Sequence, residues 1–382
     1  MTGKEDAFDG GIEVRPPVGP DQLAQVPAKR GVALLEADAG APIVLLTAAD
    51  IRARVRTRLA EPLEDAKRKS ADLREITRRV RWKLAAGHFE ADWRFFELAR
   101  SIWPREYPSL LAWKPAWFAR VDVGEAYPHW WRTQEIADAG GCCFGPFATG
   151  KQAERFVQVI QEGFDLCRHV RCLRQAPHAA RCAYAEMGRC LSVCNGAVGM
   201  EEYRAQVARS AEFVAGERRK VVEALEAAMA AAAKELAFER AAAVKARIDR
   251  LAELDAPAMA QAAPLAAFRF VMVQPAATRK AVKVFFVNGG SVAQLAPLKV
   301  PLEGRQVAAR LKAMAMQARR GAPEMDEAAQ WRLGLVSSYL SAGPARAGVI
   351  RRWREDLGEE ELTRAIEEGA EYLGLKKSGK SE

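Results

Sequence analysis

Residues 182–194 read CAYAEMGRCLSVC, which places three cysteines in the spacing C-x7-C-x3-C. Two more cysteines lie shortly before this stretch, and all seven cysteines of the 382-residue chain fall between positions 142 and 194. Thiolate sulfur is the preferred ligand of zinc and of iron–sulfur clusters. The clustering therefore predicts a soft-metal site, with ordinary buried cysteines as the alternative. The candidate ligands are Cys167, Cys172, Cys182, Cys190 and Cys194.

The composition is that of a globular protein, with 49% hydrophobic and 28% charged residues. A chain of 382 residues exceeds one ordinary core, which predicts more than one domain. The first residues, MTGKEDAFDGG, are polar and acidic, unlike a secretory signal, and no run of about 18 uncharged apolar residues is present. We therefore expect a cytoplasmic protein whose cysteines are reduced rather than joined in disulfides.

The positive charge is concentrated in one segment. The net charge is +9, and the stretch from Arg52 to Lys83 contains twelve Lys and Arg against five Asp and Glu. A concentrated basic surface attracts phosphate and releases counterions. The segment predicts contact with DNA or RNA, with a solvated helix face as the alternative. The candidate DNA-binding residues are Arg52, Arg56, Arg78, Arg79 and Arg81.

The N-terminal pattern predicts strands followed by helices. Two apolar runs, GVALLEA and PIVLL, are separated by Asp38-Ala39-Gly40 and indicate a hairpin within residues 31–46. Asp50 can cap the helix IRARVRTRL that follows. The apolar spacing predicts further helices over residues 70–85 and 89–101.

The remainder of the chain completes an α+β fold. The pattern is helical over residues 200–255, and a turn near Leu236 predicts a helical hairpin. After an Ala/Pro linker, FRFVMVQ and VKVFFV read as strands, with a hairpin turn at residues 288–290 and helices over 303–317 and 325–339. The predicted parts are a lead-in (1–28), an α/β domain (29–135), a cysteine-cluster part (140–200), a helical hairpin (201–255) and a C-terminal α+β domain (265–375).

Three elements in order resemble the UvrC family of bacterial excision nucleases. The first is Gly145-Pro146-Phe147, the second is the cysteine run with Gly188-Arg189-Cys190, and the third is LAFERAAAVKARIDRL at residues 236–251. In that family a G-P-F element precedes a run of the type C-L-x5-R-C-x2-P-C and a helical motif of the type L-x-F-E-x-A-A. The proline before the last cysteine is replaced here by Val193.

The resemblance implies a four-thiolate iron–sulfur cluster of the 4Fe–4S type, and the same ligands also suit zinc. Cys182, Cys190 and Cys194 match the family's run directly. The fourth ligand is either Cys172, which fits the family's distance better, or Cys167, which follows an F-D-L element. The cluster is expected to hold this region in shape.

The resemblance also implies that the helical hairpin docks on UvrB, the partner protein of this family. An amphipathic hairpin cannot bury its apolar stripe alone and commonly pairs with a partner's helices. Packing within the chain is the alternative. The residues expected to contact the partner are Leu236, Phe238, Glu239, Ala242 and Ile248.

The family's first domain is a GIY-YIG nuclease, which implies the same kind of domain here with its tyrosines missing. Residues 31–33, Gly-Val-Ala, stand where G-I/V-Y is expected, and residues 44–47 contain neither the tyrosine nor the glycine of the second motif. Arg54 matches the family's arginine, and Glu97 matches its metal-binding glutamate, which would hold Mg²⁺ or Mn²⁺ in an active nuclease. A salt-bridging role is the alternative for Glu97.

The sequence thus predicts a UvrC-like protein of nucleotide excision repair that binds DNA and a UvrB-like partner. Because two of the nuclease's essential side chains are absent, we predict that cleavage is reduced or lost. The alternative is a noncatalytic DNA-binding or adaptor protein with a structural metal site.

Overall fold

Three antiparallel sheets and the helices that cover them form the fold, which confirms a mixed class of α and β elements. The computed structural model describes residues 7–60, 72–136, 142–256, 262–278, 280–299, 327–340, 348–353 and 359–372, with a few isolated positions between these ranges. None of the helices in these ranges combines the length and apolar character that crossing a membrane requires.

The first sheet contains the predicted N-terminal hairpin. Its elements are β1 (Gly10–Glu13), β2 (Gly31–Glu36), β3 (Pro42–Ala48), α1 (Ile51–Ala60), α2 (Leu73–Ile76), β4 (Arg79–Leu84), α3 (His88–Ile102) and α4 (Tyr107–Leu110). The strand order is β1-β4-β2-β3, so the β2–β3 hairpin is confirmed. Asp50 caps α1 as predicted, because its Oδ1 accepts a hydrogen bond from the backbone N–H of Ala53 at 2.9 Å.

The two faces of this sheet are covered by different helices. Side chains along a strand alternate between the faces. Ala33 and Leu35 of β2 therefore pack with α1, whereas Val32 and Leu34 pack with α3. The helix predicted over residues 89–101 is confirmed as α3.

The helix predicted over residues 70–85 is wrong. Its second half is the strand β4, which pairs with both β1 and β2, and only the short helix α2 precedes it. Val80, Trp82 and Leu84 alternate along the strand, and Val80 packs with the α1 side of the sheet. Leu73, Ile76, Val80 and Leu84 also fit a helical spacing, so pairing with β2 decided the structure. Residues 70 and 71 lie outside the described ranges.

The second sheet spans the boundary that we predicted between residues 135 and 140. Its elements are β5 (Trp117–Val121), β6 (Trp130–Thr133), β7 (Cys142–Phe147) and β8 (Ala263–Pro264), in the order β6-β5-β7-β8, and it is covered by α5 (Gly150–Gly163). Trp130 of β6, Phe144 of β7 and Phe156 of α5 pack together in one core. Their shared apolar surface joins the residues around 117–133 to the part that follows them.

The middle of the chain is helical, as predicted. Its helices are α6 (Val170–Leu173), α7 (Ala183–Glu186), α8 (Met200–Glu212), α9 (Arg218–Lys234) and α10 (Phe238–Ala252). A π-helical turn, Phe213–Glu217, connects α8 to α9. The helical hairpin is confirmed as α9 and α10, which pack on each other across a turn at Leu236, where φ is 57°.

The third sheet lies in the C-terminal part. Its elements are β9 (Arg269–Pro275), β10 (Ala281–Asn288), β11 (Ser291–Gln294), β12 (Leu298–Lys299), α11 (Glu327–Leu340), β13 (Val349–Arg352) and α12 (Glu359–Tyr372). The order is β11-β10-β9-β13, with β12 also paired to β10, and the predicted turn at residues 288–290 joins β10 to β11. The helix predicted over residues 303–317 lies almost entirely outside the described ranges.

A buried polar contact joins the first part of the chain to the last. Glu90 of α3 is 3% exposed and accepts hydrogen bonds from Lys283 Nζ of β10 at 2.5 Å and from Arg94 at 2.6 Å. Burial opposes the ionisation of Glu90, but these cations and a backbone N–H outweigh it and lower its pKa. Nearby, the Tyr339 hydroxyl of α11 donates to Asp92 at 2.6 Å.

Candidate functional site

The cysteine segment, residues 165–195, is a folded loop between α5 and α8. It contains only α6, α7 and a short 3-10 turn, and it begins at Asp165, where φ is 51°. Two backbone hydrogen bonds close it: Leu191 N–H donates to the Asp165 carbonyl at 2.8 Å, and Ala179 N–H donates to the Cys194 carbonyl at 2.9 Å. Short elements and long-range closure bring cysteines that are distant in sequence into one region.

The candidate cysteines lie within electrostatic reach of one another. Cys167 and Cys194 are buried, whereas Cys172, Cys182 and Cys190 are half-buried. Burial raises the pKa of the Cys167 thiol to about 12, and the thiols of Cys194, Cys190 and Cys172 add to the increase. Burial also raises the pKa of Cys194, with further increases from Cys182, Cys190 and Cys172. Deprotonating one thiol is therefore opposed by its neighbours as well as by burial.

Thiols are suitable ligands for a thiolate-bound metal or cluster, although the side chains are not oriented toward one common centre. Within the described ranges, no three Cys, His, Asp or Glu side chains are arranged so that all could hold one ion. Ligation would therefore require the thiols to turn toward a common centre. Cys172, Cys182 and Cys190 are only half-buried, which leaves these three side chains room to do so.

A buried hydroxyl beside the cysteines supports this fit. Tyr203 of α8 is 0% exposed; its Oη lies near the backbone N–H of Cys167, but it has no well-formed hydrogen bond and no acceptor for its own proton in the part of the chain that the structure describes. It shares a core with Cys167. Burial raises the pKa of Tyr203, and the thiols of Cys167, Cys190 and Cys194 raise it further. An unsatisfied buried donor costs about 1–3 kcal/mol, which a sulfur acceptor of a bound group would offset.

The helical hairpin is anchored at one end and exposed at the other. Leu251 of α10 is buried and packs on Gly163 of α5, while Arg247 Nε donates to the Gly163 carbonyl at 3.0 Å. At the tip, Leu236 and Phe238 are 72% and 66% exposed. Apolar side chains of this size at the end of a hairpin indicate a contact surface. Of the other predicted contacts, Glu239 and Ala242 are exposed and Ile248 is half-buried.

Comparison with known proteins identifies the middle of the chain. The family model described as "UvrC/Cho excinuclease, middle domain" matches residues 116–213, which include the second sheet and the cysteine segment. Over these residues the chain is similar to the UvrC family. The predicted resemblance is therefore confirmed in the region that carries the cysteines.

Several relatives of the chain bear the name UvrABC system protein C. The protein from Desulforudis audaxviator is 30% identical over 224 residues, which cover 58% of this chain and 35% of the relative. The protein from Syntrophotalea carbinolica is 28% identical over 227 residues, 58% of this chain and 36% of the relative. The chain thus matches only about a third of the length of these curated relatives. No solved structure matches the chain.

The residues that the UvrC resemblance assigned to a nuclease lie on both sides of the first sheet. Ala33 is 1% exposed and packs with Val55 of α1, so apolar atoms fill its surroundings. Val44 is half-buried on the same side. Arg54 is exposed on α1, whereas Glu97 is exposed on α3, and these helices cover opposite faces. The predicted catalytic residues are thus carried by separate surfaces.

The arginines predicted to bind DNA also fall on separate elements. Those at β4 pair with carboxylates: Arg78 with Asp38 at 3.1 Å, Arg79 with Glu13 at 3.1 Å and Arg81 with Glu36 at 3.7 Å. Arg52 and Arg56 lie on α1 and donate to the carbonyls of Val26 at 2.6 Å and Pro20 at 3.5 Å. The middle of the predicted basic stretch, residues 61–71, lies outside the described ranges.

Sequence reasoning missed two features around the cysteines. Tyr203 gave no signal because a tyrosine on an amphipathic helix is ordinary. The second feature is a set of five arginines interleaved with the cysteines, which we call the arginine collar: Arg168, Arg171, Arg174, Arg181 and Arg189. A count of basic residues within residues 165–195 finds the collar, although the excess of Lys and Arg over Asp and Glu is larger between residues 52 and 83.

Proposed function

We propose that this chain acts in nucleotide excision repair, in the cytoplasm, as a UvrC-like protein that binds DNA and a UvrB-like partner. The observation that carries the proposal is the family match over residues 116–213, in a chain whose next element is a helical hairpin with an exposed apolar tip. The relatives named UvrABC system protein C support the same role.

The hairpin is the proposed site for the UvrB-like partner. Leu236 and Phe238 are exposed at its tip, while Leu251 anchors its base, so the tip is free to contact another protein without disturbing the core. Helical partners commonly recognise such apolar anchors on a neighbouring helix. Glu239 and Ala242 lie beside the tip, and Ile248 extends the surface toward the base.

The cysteine segment is the proposed site of an iron–sulfur cluster held by Cys172, Cys182, Cys190 and Cys194. Cys172 is preferred to Cys167 because its half-buried side chain has room to turn toward a common centre. Cys167 is more buried than Cys172, and its thiol donates to the His169 carbonyl at 3.5 Å. A bound cluster would cross-link the loops of the segment and so hold their shape.

Metal analysis after anaerobic purification tests the cluster directly. Iron and acid-labile sulfide in a ratio near one, together with the broad visible absorbance of a cluster, are expected. Zinc without iron would assign the same thiolates to a tetrahedral zinc site instead. If the protein contains neither iron nor zinc in stoichiometric amounts, both forms of the proposal are contradicted.

The nuclease activity is proposed to be reduced or lost. A nuclease of this kind needs a positioned base and a metal-held carboxylate near one phosphate. Ala33 is buried among apolar side chains where the family has a tyrosine, and Arg54 and Glu97 lie on helices that cover opposite faces of the sheet. The alternative function, a noncatalytic DNA-binding or adaptor protein with a structural metal, rests on these same observations.

An incision assay separates the two functions. The protein is incubated with damaged and undamaged duplex, with Mg²⁺ or Mn²⁺, and with or without UvrB. Weak incision that Glu97→Ala or Arg54→Ala removes would establish a residual nuclease. Binding without incision under every condition would establish the adaptor. Strong incision that depends on Glu97 would contradict the proposed loss of activity.

A further inference from the structure

The arginine collar lacks the salt bridges that the arginines at β4 form, although Arg168 lies within electrostatic reach of Asp165. Arg171, Arg174, Arg181 and Arg189 are exposed, and Arg168 is half-buried. No salt bridge to any of the five is present in the part of the chain that the structure describes. Five arginines within about twenty residues make this segment strongly basic, so an anion from outside would be attracted to it.

The collar borders a groove between the cysteine segment and α10. The groove has a volume of about 550 Å³, and Arg168 and Arg189 line its cysteine side. The guanidinium of Arg168 lies 4.4 Å from the ring centroid of Tyr184, and its Nε is buried without a hydrogen-bond partner in the described structure. The groove therefore presents an unsatisfied donor beside an exposed cation.

The opposite side of the groove carries cations that are already neutralised. Arg247 of α10 pairs with Asp165 at 3.3 Å, and Arg250 pairs with Glu162 at 2.7 Å. The first pair fixes α10 against the cysteine segment, and the second fixes it against α5. The groove-lining arginines of α10 are therefore ion-paired, whereas Arg168 and Arg189 form no salt bridge in the described structure.

We propose that the arginine collar and the adjoining groove bind the phosphate backbone of DNA. Guanidinium forks match the geometry of phosphate oxygens, and backbone phosphates supply a row of anions that several separate arginines can contact together. This inference rests on the proposed repair function and gives its DNA contact a location. The proposed DNA contact therefore lies at the cysteine segment. It does not lie at the N-terminal arginines, whose guanidinium groups are ion-paired or hydrogen-bonded within the chain.

Salt-dependent DNA binding tests the location. Fluorescence anisotropy of a labelled duplex is measured with the full-length protein from about 50 to 200 mM salt. In the collar variant, Arg171, Arg174 and Arg181 are replaced by Gln. We expect its affinity to fall about 10- to 100-fold at low salt, and the slope of log K against log salt to decrease by about one for each arginine.

A matched control removes the same three charges elsewhere. Its substitutions are Arg78→Gln, Arg79→Gln and Arg219→Gln, all at solvent-accessible arginines that have carboxylate partners. We expect its salt slope to remain close to that of the unmodified protein. A third variant replaces the three collar arginines by Lys and should keep most of the binding, because the charge is kept. Circular dichroism and iron content confirm that each variant is folded.

The outcomes separate this inference from the proposed function. If the unmodified protein binds no duplex, the DNA-binding role fails, and the location fails with it. If the protein binds DNA and the control loses binding while the collar variant does not, the role stands and the location is wrong. If the collar variant binds DNA normally but loses an acidic protein partner, the collar serves that partner and the inference is also overturned.

Discussion

The first sheet and the cysteine segment are both rich in arginine, yet they differ in whether carboxylates of the chain pair with those arginines. At β4, Arg79 and Arg81 pair with carboxylates of the neighbouring strands. In the cysteine segment, the collar arginines form no salt bridge among the described residues, and the hydroxyl of Tyr203 is buried without a well-formed hydrogen bond there. The contrast is one of charge: the arginines of β4 are paired with carboxylates of the chain, although Oε2 of Glu36 is buried without a hydrogen bond, whereas the collar arginines have no such ion pairs in the described structure.

The largest expected effect tests the cysteine side of this comparison. Cys190→Ser should abolish iron binding, because a four-thiolate site that loses one ligand is no longer closed. Iron content and visible absorbance after anaerobic purification measure the loss. Cys142→Ser is the matched control, since Cys142 is exposed on β7 outside the segment and should leave iron content unchanged. Equal iron in both variants would contradict the assignment.

The next largest effect concerns the satisfied polar groups. Glu90→Gln should destabilise the protein by about 3–5 kcal/mol, because it leaves Lys283 partly buried without its carboxylate. Glu13→Gln, which removes an exposed partner of Arg79, should cost less than about 1 kcal/mol. Urea denaturation followed by circular dichroism measures both. Equal losses would show that burial does not distinguish these pairs.

The Glu90 pair also predicts a dependence on pH. The pKa of Glu90 is lowered in the folded protein from its ordinary value of 4.5. The stabilisation it provides is therefore complete above that value and is lost as the pH falls through the folded pKa. The difference in stability between the unmodified protein and Glu90→Gln should shrink as the pH is lowered below 4.5. A difference that stays constant over this range would contradict the pairing.

A moderate effect is expected at the tip of the hairpin. Leu236→Ala combined with Phe238→Ala should weaken binding to UvrB about 10- to 100-fold, because apolar anchors contribute most of such contacts. Stability should hardly change, since both side chains are exposed. The matched change Leu251→Ala should instead cost about 2–5 kcal/mol of stability, since Leu251 is buried. Calorimetric titration with UvrB measures the affinity. An unchanged affinity in the tip variant would contradict the role of the tip in binding.

The smallest expected effect involves Tyr203. Tyr203→Phe should be close to neutral in metal-free protein, because it removes a hydroxyl that has no well-formed hydrogen bond there. In metal-loaded protein it should cost about 1 kcal/mol and shift the reduction potential, if the hydroxyl donates to a cluster sulfur. Thermal unfolding of both forms and protein-film voltammetry of the metal-loaded form provide the comparison. Identical behaviour in the two forms would remove Tyr203 from the site.

Sequence patterns predicted the elements that local rules determine. The Asp50 cap, the β2–β3 hairpin and the turn between α9 and α10 each follow from residues within one short stretch. Local rules failed for β4, whose apolar spacing fits a helix as well as a strand and whose structure depends on pairing with β2.

The candidate site could be predicted only in part for the same reason. The five cysteines stand out in the sequence because they are few and clustered. Whether Arg171 has a salt bridge, which it lacks among the described residues, and whether the Tyr203 hydroxyl is buried both depend on which distant residues the fold brings close. Equally, no local pattern indicates that Arg79 is neutralised by a glutamate 66 residues away.

The contact between Glu90 and Lys283 has a consequence for synthesis of the chain. The two residues are 193 positions apart, so at a translation rate of about 5–20 residues per second the ribosome makes Lys283 about 10–40 s after Glu90. During that interval the carboxylate lacks one of its cations, and α3 has no C-terminal sheet to pack against. The first part of the molecule therefore reaches its final packing only after the cysteine segment and the hairpin have been made.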